Sequence, residues 1–343
     1  MRRIQMLGTA AAVLLLIPFI GSRIAVAEPV KVGLLKLPSA APIYIALEKG
    51  YFAAEGLDAS LVHFESGQAI AVAVAGRAID FGVGGISAAL YNLAGQGAVR
   101  IIAGAYNEMP GFPDAAFLVS NRAYAAGLTS MKALAGHSVA TTTVGSPLHY
   151  GFELIAEKYG FDIKTLRVLP TQSIPNEISA LTGGEADAAL IAIAPSIPAL
   201  IERGEIKQLG WLGDAVSMQF GATFTSGQNA DQRHELVERF LRALRNGARD
   251  HHNAFTGADG KRQDQASAPG MLSIIAKYTT QSVEHLKDEV VYIDAEERVD
   301  VKDVEHQIAW YKSQGLLKQE VDPSIVMDKR YVVPMTVPAV AGH

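Results

Sequence analysis

The chain has 343 residues, 49% of them hydrophobic, with a formal charge of −5 and no cysteine. Lack of cysteine excludes disulfides, thiolate metal sites, a cysteine nucleophile and a lipid-modified N-terminal cysteine. The negative charge argues against a nucleic-acid partner, and removing Arg2, Arg3 and Arg23 takes it from −5 to −8.

Those three arginines fall in the first 27 residues, which read as an export signal. Arg2 and Arg3 form a basic start, residues 7–20 are an apolar stretch, and Ala25-Val26-Ala27 has the small-x-small form that a signal peptidase accepts. The stretch is short for the roughly 20 residues that span a bilayer; an uncleaved anchor is the alternative. The chain from Glu28 onward is long enough for two ordinary domains. The expectation is a soluble protein of the periplasm.

Residues 30–35 are a β-rich apolar run, 43–49 a helix stopped by Gly50, and 59–64 a second strand. Ser66 is placed to cap a helix over 69–75. Gly76-Arg77-Ala78-Ile79-Asp80 ends that helix, Phe81-Gly82-Val83 is a strand, a helix starts near Ser87, and 100–106 is a further strand. Such alternation implies a largely parallel, doubly wound sheet with helices on both faces. After a strand at 115–120 the pattern restarts, with a helix beginning at Thr129-Ser130, a new first strand at 138–142, and a helix over 148–159 behind Gly145-Ser146-Pro147. Strands follow at 166–169, 188–193 and 207–212. Gly183-Gly184-Glu185-Ala186-Asp187 ends a helix before the second of these, and Pro195-Ser196 opens the next, so the unit around 76–90 recurs around 183–200. Residues 220–224 read as a return crossing, 232–246 as a helix, 251–268 as a polar mobile loop, and 301–313 and 322–328 as helices. The expected lobes are 28–119 with 220–343, and 120–219, joined by two crossings that form a hinge.

Open α/β sheets take ligands at the carboxyl ends of their strands, where helix N-termini present unpaired N–H groups. The loops at those ends are 36–41, 65–68, 84–87, 106–112, 142–149, 171–173 and 194–196. They supply the candidate site residues Ser39, Ser66, Gln68, Gly85, Ser87, Tyr106, Phe112, Thr142, Thr143, Ser146, His149 and Pro195. Ser39 either faces the cleft or forms a turn, and Gly85 permits close backbone approach. Ser87 and Ser146 are ligand hydroxyls or plain helix caps; Thr142 and Thr143 face a ligand or are satisfied in the strand. His149 either donates to an anionic head group or packs in the core. Tyr106 and Phe112 form a stacking wall or are ordinary buried aromatics. Glu108 and Asp114 either receive an amine or are exposed loop acids. His251 and His252 are adjacent, which argues against a metal site. No arginine falls in the cleft loops, so Lys36 and His149 are the candidate cations and no guanidinium clamp is evident.

The run Pro42-Ile43-Tyr44-Ile45-Ala46-Leu47-Glu48-Lys49-Gly50-Tyr51-Phe52 with Glu55-Gly56-Leu57 resembles the nitrate/sulfonate/taurine type of substrate-binding protein of ABC importers. Gly76 to Gly82, Gly145-Ser146, the turn from Gly183 to Asp187, Gly315-Leu316-Leu317 and Asp328-Lys329-Arg330-Tyr331 carry the same resemblance. That group also includes binders of thiamine pyrimidine precursors. The resemblance implies a two-lobed type II periplasmic binding protein fold of α/β class, each lobe a doubly wound mixed sheet, with two hinge crossings. It implies a monomeric receptor rather than an enzyme, without a cofactor, with a small-molecule ligand and an ABC permease of the inner membrane as partners. Where many relatives have Trp-Glu-Pro, this chain has Ile193-Ala194-Pro195, which removes an aromatic and an acid. The expected ligand is a small organic anion such as a sulfonate or carboxylate; the alternative is a planar nitrogen heterocycle. Two rivals to a transport receptor are a sensor module and a same-fold enzyme like the fungal thiamine-pyrimidine synthase, whose cysteine-rich iron motif has no counterpart here.

Overall fold

The computed structural model describes residues 27–112, 114–192 and 196–335. Residues 1–26 of the expected export signal and the candidate site residue Pro195 lie outside them. The first sheet contains β1 (Glu28–Leu34), β2 (Leu57–His63), β3 (Phe81–Gly85) and β4 (Val99–Gly104). A short β5 (Asn107–Glu108) leads to the second sheet, made of β6 (Ala115–Ser120), β7 (Ser138–Thr141), β8 (Arg167–Pro170), β9 (Ala188–Ala192) and β10 (Ile206–Trp211). β11 (Met218–Gln219) then leads back to β12 (Gly221–Ser226), the fifth strand of the first sheet.

The two sheets have one plan. Their strand orders are β2-β1-β3-β12-β4 and, taken from the other edge, β8-β7-β9-β6-β10. β1 is parallel to β2 and β3, as β7 is to β8 and β9. The fourth strand of each, β12 or β6, is antiparallel to both neighbours and is the strand that arrives from the other lobe. The first crossing thus lies between β4 and β6, upstream of the boundary expected near Ser120, because β6 pairs with β9 and β10. The crossings are tied together where β5 pairs antiparallel with β11.

Eight helices of eight residues or more stand among the described residues: α1 (Ala41–Glu48), α2 (Gly67–Ala75), α3 (Ala88–Gly95), α4 (Pro147–Tyr159), α5 (Ile174–Thr182), α6 (His234–Phe255), α7 (Ala268–Thr279) and α8 (Val301–Ser313). No helix among the described residues is long and apolar enough to cross a membrane. Helices cover both faces of the second sheet. Ala116 and Leu118 of β6 enter one apolar cluster while Ala115, Phe117 and Val119 enter the other, the period of two expected of a strand buried on both faces.

α6 continues nine residues past the expected end at Asn246 and takes His251 and His252 out of the supposed mobile loop. Its buried positions Leu244, Gly247, Ala248, His251, Ala254 and Phe255 keep the helical spacing; the intervening polar residues face outward. His251 is buried beside Phe255, and His252 Nδ1 lies 2.9 Å from the Ile293 carbonyl. α7, with Pro269 and Gly270 in its first turn, has no counterpart in the expectations, which assign no element between the loop ending at Ala268 and the helix over 301–313. The helix expected from Thr129-Ser130 is a single 3-10 turn at Met131–Ala133.

α6 meets α1 at Gly247, where a Cβ would stand 2.2 Å from the Pro42 carbonyl oxygen and 3.1 Å from the Ala46 nitrogen. An exposed helical glycine gains up to about 1 kcal/mol on mutation to alanine. Here Gly247→Ala is expected to lose about 1–3 kcal/mol, the usual cost of overpacking, and a urea titration reads the sign directly.

Candidate ligand-binding cleft

Helix starts follow the carboxyl ends of β2, β3, β7 and β8, and all four face the gap between the lobes. A serine caps each helix. Ser66 Oγ accepts from the Ala69 N–H at 3.3 Å, Ser87 Oγ from Leu90 at 3.3 Å, Ser146 Oγ from His149 at 3.1 Å and Ser173 Oγ from Asn176 at 3.3 Å. Each cap satisfies one first-turn N–H group and leaves the positive end of the helix turned toward the gap.

A cavity of about 60 Å³ lies between these ends, room for on the order of four to six water-sized groups. Eight candidate residues line it: Ser66, Gln68, Gly85, Ser87, Tyr106, Thr142, Thr143 and Ser146. Leu35, Ile174, Ala192 and Phe220 also line it and lie outside the loops singled out from sequence. The side chains of Gln68, Thr142 and Thr143 make no hydrogen bond among the described residues, so they are available to a solute. The cavity shares Leu35, Leu37, Glu65 and Ile174 with an outer mouth of about 590 Å³, where Lys36 and His63 stand.

The lobes touch around this cavity. The Ala88 N–H donates to the Gly145 carbonyl at 2.8 Å. Gly85 presses on Pro147 so closely that a Cβ would lie 2.7 Å from its Cγ. Beside the cavity, α4 of the second lobe lies along α8 of the first. Tyr311 donates to the Ser146 carbonyl at 3.0 Å, and Tyr150 donates to Asp303 Oδ1 at 2.9 Å with His306 Nδ1 2.7 Å away.

Three candidates fall outside the cavity wall. Ser39 is buried in the 3-10 turn Pro38–Ala40, beside the Tyr106 hydroxyl, and acts as a turn residue. Phe112 is buried edge-on against Tyr292 at 5.2 Å, as an ordinary core aromatic. His149 turns back on its own loop: its Nδ1 accepts from the Gly145 N–H at 3.1 Å, and its ring meets Trp310 at 5.2 Å. Burial pushes this imidazole down to about 4, so it is neutral at physiological pH. The only charged residue of the inner wall among the described residues is Glu65, and Lys36 stands at the outer mouth.

The rear wall is the hinge itself. Tyr106 on the first crossing stacks on Phe220 at the end of the second, with centroids 5.4 Å apart. Behind Tyr106 are Glu108 and Asp114, which are buried rather than exposed loop acids. Glu108 Oε1 accepts from the Ala115 N–H at 2.9 Å, while Glu108 Oε2 and Asp114 Oδ2 have no partner among the described residues. Glu289 of the first lobe faces Asp114 and accepts from Gln281 at 2.6 Å. Burial, reinforced by the neighbouring acid, holds the Glu108 carboxyl well above its ordinary range. Burial likewise raises Asp114 and Glu289 each to about 7.

Two lobes, paired crossings and a cleft at the strand carboxyl ends define a periplasmic binding protein fold. Residues 37–254 match the family described as NMT1/THI5 like, and the chain belongs to that family. Among solved structures it is similar to the alkanesulfonate-binding protein SsuA from Xanthomonas axonopodis pv. citri bound to MOPS, with 17% identity and a TM-score of 0.66 over 90% of this chain and 99% of that one. It is also similar to the periplasmic aliphatic sulphonate binding protein SsuA from Escherichia coli, with 15% identity and a TM-score of 0.67 over 89% and 98%. The periplasmic nitrate-binding protein NrtA from Synechocystis PCC 6803 gives 15% identity and a TM-score of 0.68 over 89% and 87%. Likeness at these identities concerns the fold. No curated protein matches the chain in sequence.

Asp114 and Glu289 bind protons more tightly folded than unfolded, so their contribution is complete below about pH 4 and is lost as pH rises through about 7; burial raises Glu108 in the same direction. Urea midpoints are therefore expected to fall between pH 5.5 and 8, by up to about 1.4 kcal/mol per pH unit for each proton held. Asp114→Asn should flatten that slope, and equal slopes in both proteins would assign it elsewhere.

Proposed function

We propose that the chain is the solute-binding receptor of an ABC importer, exported to the periplasm, beginning at Glu28 and working as a monomer without catalysing a reaction. It captures a small organic acid between its lobes and presents the closed form to a membrane permease. The observation that carries this reading is the enclosed cavity itself, whose polar wall consists of four helix N-termini and uncommitted side-chain groups rather than a catalytic constellation. Helix ends and hydroxyls hold an anionic head without a full countercharge. Leu35, Leu37, Leu148, Ile174 and Phe220 offer an apolar surface to its body. A sulfonate or carboxylate fits this division.

A second reading, a planar nitrogen heterocycle, is favoured by one observation. Tyr106 and Phe220 present aromatic surface to a cavity with no cationic side chain in its wall among the described residues.

A thermal-shift panel of alkyl and aryl sulfonates, carboxylates, nitrate and pyrimidines separates the two, since a ligand at a hundredfold excess over its Kd stabilises by about 2.7 kcal/mol. Replacing Thr142 and Thr143 together by valine is expected to weaken an acid by about 1–3 kcal/mol, the cost of losing hydrogen bonds to a charged group. The unliganded melting temperature should hardly move, because neither hydroxyl has an internal partner among the described residues.

The Ala88 to Gly145 bond and the α4–α8 contacts hold the lobes together, and the two crossings are where a rotation would be absorbed. X-ray scattering should show the protein compacting when a verified ligand is added. Identical curves with and without it would rule out a closing motion.

A further inference from the structure

One histidine stands where the lobes meet and takes no part in the cavity. His306 lies half-exposed on α8 of the first lobe, and both of its ring nitrogens face α4 of the second: Nδ1 is 2.7 Å from the Tyr150 hydroxyl and Nε2 is 3.7 Å from Glu157 Oε1. Glu153, one helical turn before Glu157, faces the same ring and Trp310, and burial raises its carboxyl. Asp162 stands beyond Glu153. The charged neighbours of His306 on its own helix are Lys302, Asp303 and Glu305, and the hinge strand β11, against which α8 packs, brings no charge.

The hydrogen bonds decide which form of the ring suits this contact. Asp303 Oδ2 accepts from the Gln219 N–H and from Gln307 Nε2, each at 2.8 Å, and Asp303 Oδ1 accepts from Tyr150 at 2.9 Å. Burial pushes Asp303 up to about 6, so above that pH it is an anion and takes the one proton that the tyrosine can donate. The Tyr150 oxygen is then left as an acceptor, and His306 Nδ1 must carry a hydrogen to meet it. In a neutral ring Nε2 is therefore a bare lone pair turned toward the Glu157 carboxylate. In the imidazolium Nε2 carries a hydrogen as well, and a chain from Asp303 through Tyr150 and His306 to Glu157 crosses the lobe boundary three times with each donor facing an acceptor. The added charge strengthens both contacts that the ring donates.

We propose that His306 is a proton-operated latch between the lobes: its imidazolium ties α8 to α4 and holds the closed form, and loss of the proton lets the lobes part. This rests on the reading of the chain as a receptor whose lobes rotate. Glu153 and Glu157 face the ring only while the lobes are together, so closure tightens its hold on the proton. The latch is therefore complete at the acid end of the range over which histidines titrate and is lost as pH rises through it. One proton is taken from solvent as the lobes meet, and no covalent bond changes. A half-exposed pair shifts the closed-to-open ratio by about fivefold at most.

The chain has no cysteine, so nitroxide labels attach only where cysteines are placed. Asp58→Cys on β2 and Arg167→Cys on β8 put one label on each lobe at exposed positions. Pulsed dipolar spectroscopy on the doubly labelled, unliganded mature chain then reads closed and open populations as two distances. Their ratio is expected to fall by about two- to fivefold from pH 6 to pH 8. His306→Gln, which keeps a donor for Tyr150 but holds no charge, should match the parent at pH 8 and gain nothing at pH 6, and Glu157→Gln should lose most of the fall. A fall of equal size in His306→Gln would assign it to Asp114 and Glu289 and overturns the latch. Two populations whose ratio ignores pH overturn it too and leave the closing motion standing. A single distance at every pH also overturns it, and the scattering comparison with a verified ligand then decides separately whether the lobes close at all.

Discussion

Each sheet has one antiparallel strand drawn from the connection with the other sheet, and the rest of the architecture follows from that exchange. β6 sits between β9 and β10, and β12 sits between β3 and β4, so neither sheet is complete without the strand that enters from its neighbour. The strand ends that carry helix starts are thereby made to face one another. The link is short and double, because β5 pairs with β11. The aromatic pair Tyr106 and Phe220 grows out of the same two segments, so the rear of the cavity and the axis of motion are one piece of structure.

The chemistry of the cleft follows from what this arrangement omits. With His149 neutral against Trp310 and Lys36 outside, the positive ends that face the cleft are those of backbone dipoles fixed by the fold. Such partial charges fall off within a turn of helix and depend little on side-chain motion. They act only on a group that enters fully and sheds its water, which favours a compact head over a large one. Each serine cap removes one unsatisfied N–H from the apolar gap, and the Ser146 hydroxyl also lies 3.0 Å from Thr141 Oγ1.

Much of the architecture was legible because the chain states its pattern twice. The glycine-rich turns at Gly76 and Gly183, each followed by a short apolar strand, placed β3 and β9 correctly, and Ser66, Ser87 and Ser146 were readable as helix starts from local spacing. Fold class and family resemblance agree with the structure and with the match over residues 37–254. What was missed depended on tertiary pairing. Nothing local tells whether Ala115–Ser120 joins the sheet before it or the one after it, since an all-buried strand reads alike in both. His149 had the right position for a ligand group, but its partner Trp310 lies 161 positions away in sequence. Phe220, Ile174 and Ala192 reach the cavity through the meeting of the lobes, for which one element's periodicity gives no sign. α6 was cut short because the polar composition from His251 onward was read as a loop, although the buried positions kept their spacing to Phe255.

The contact between α4 and α8 gives the protein a built-in optical reporter. Of its two tryptophans, Trp211 ends a strand within the second lobe, while Trp310 belongs to the first lobe and packs its ring against His149 and Tyr150 of the second. Separation of the lobes would replace those ring contacts by water on one indole and leave the other in place. The emission spectrum of the unlabelled protein therefore carries a two-component signal, one part fixed and one part tied to the distance between the lobes.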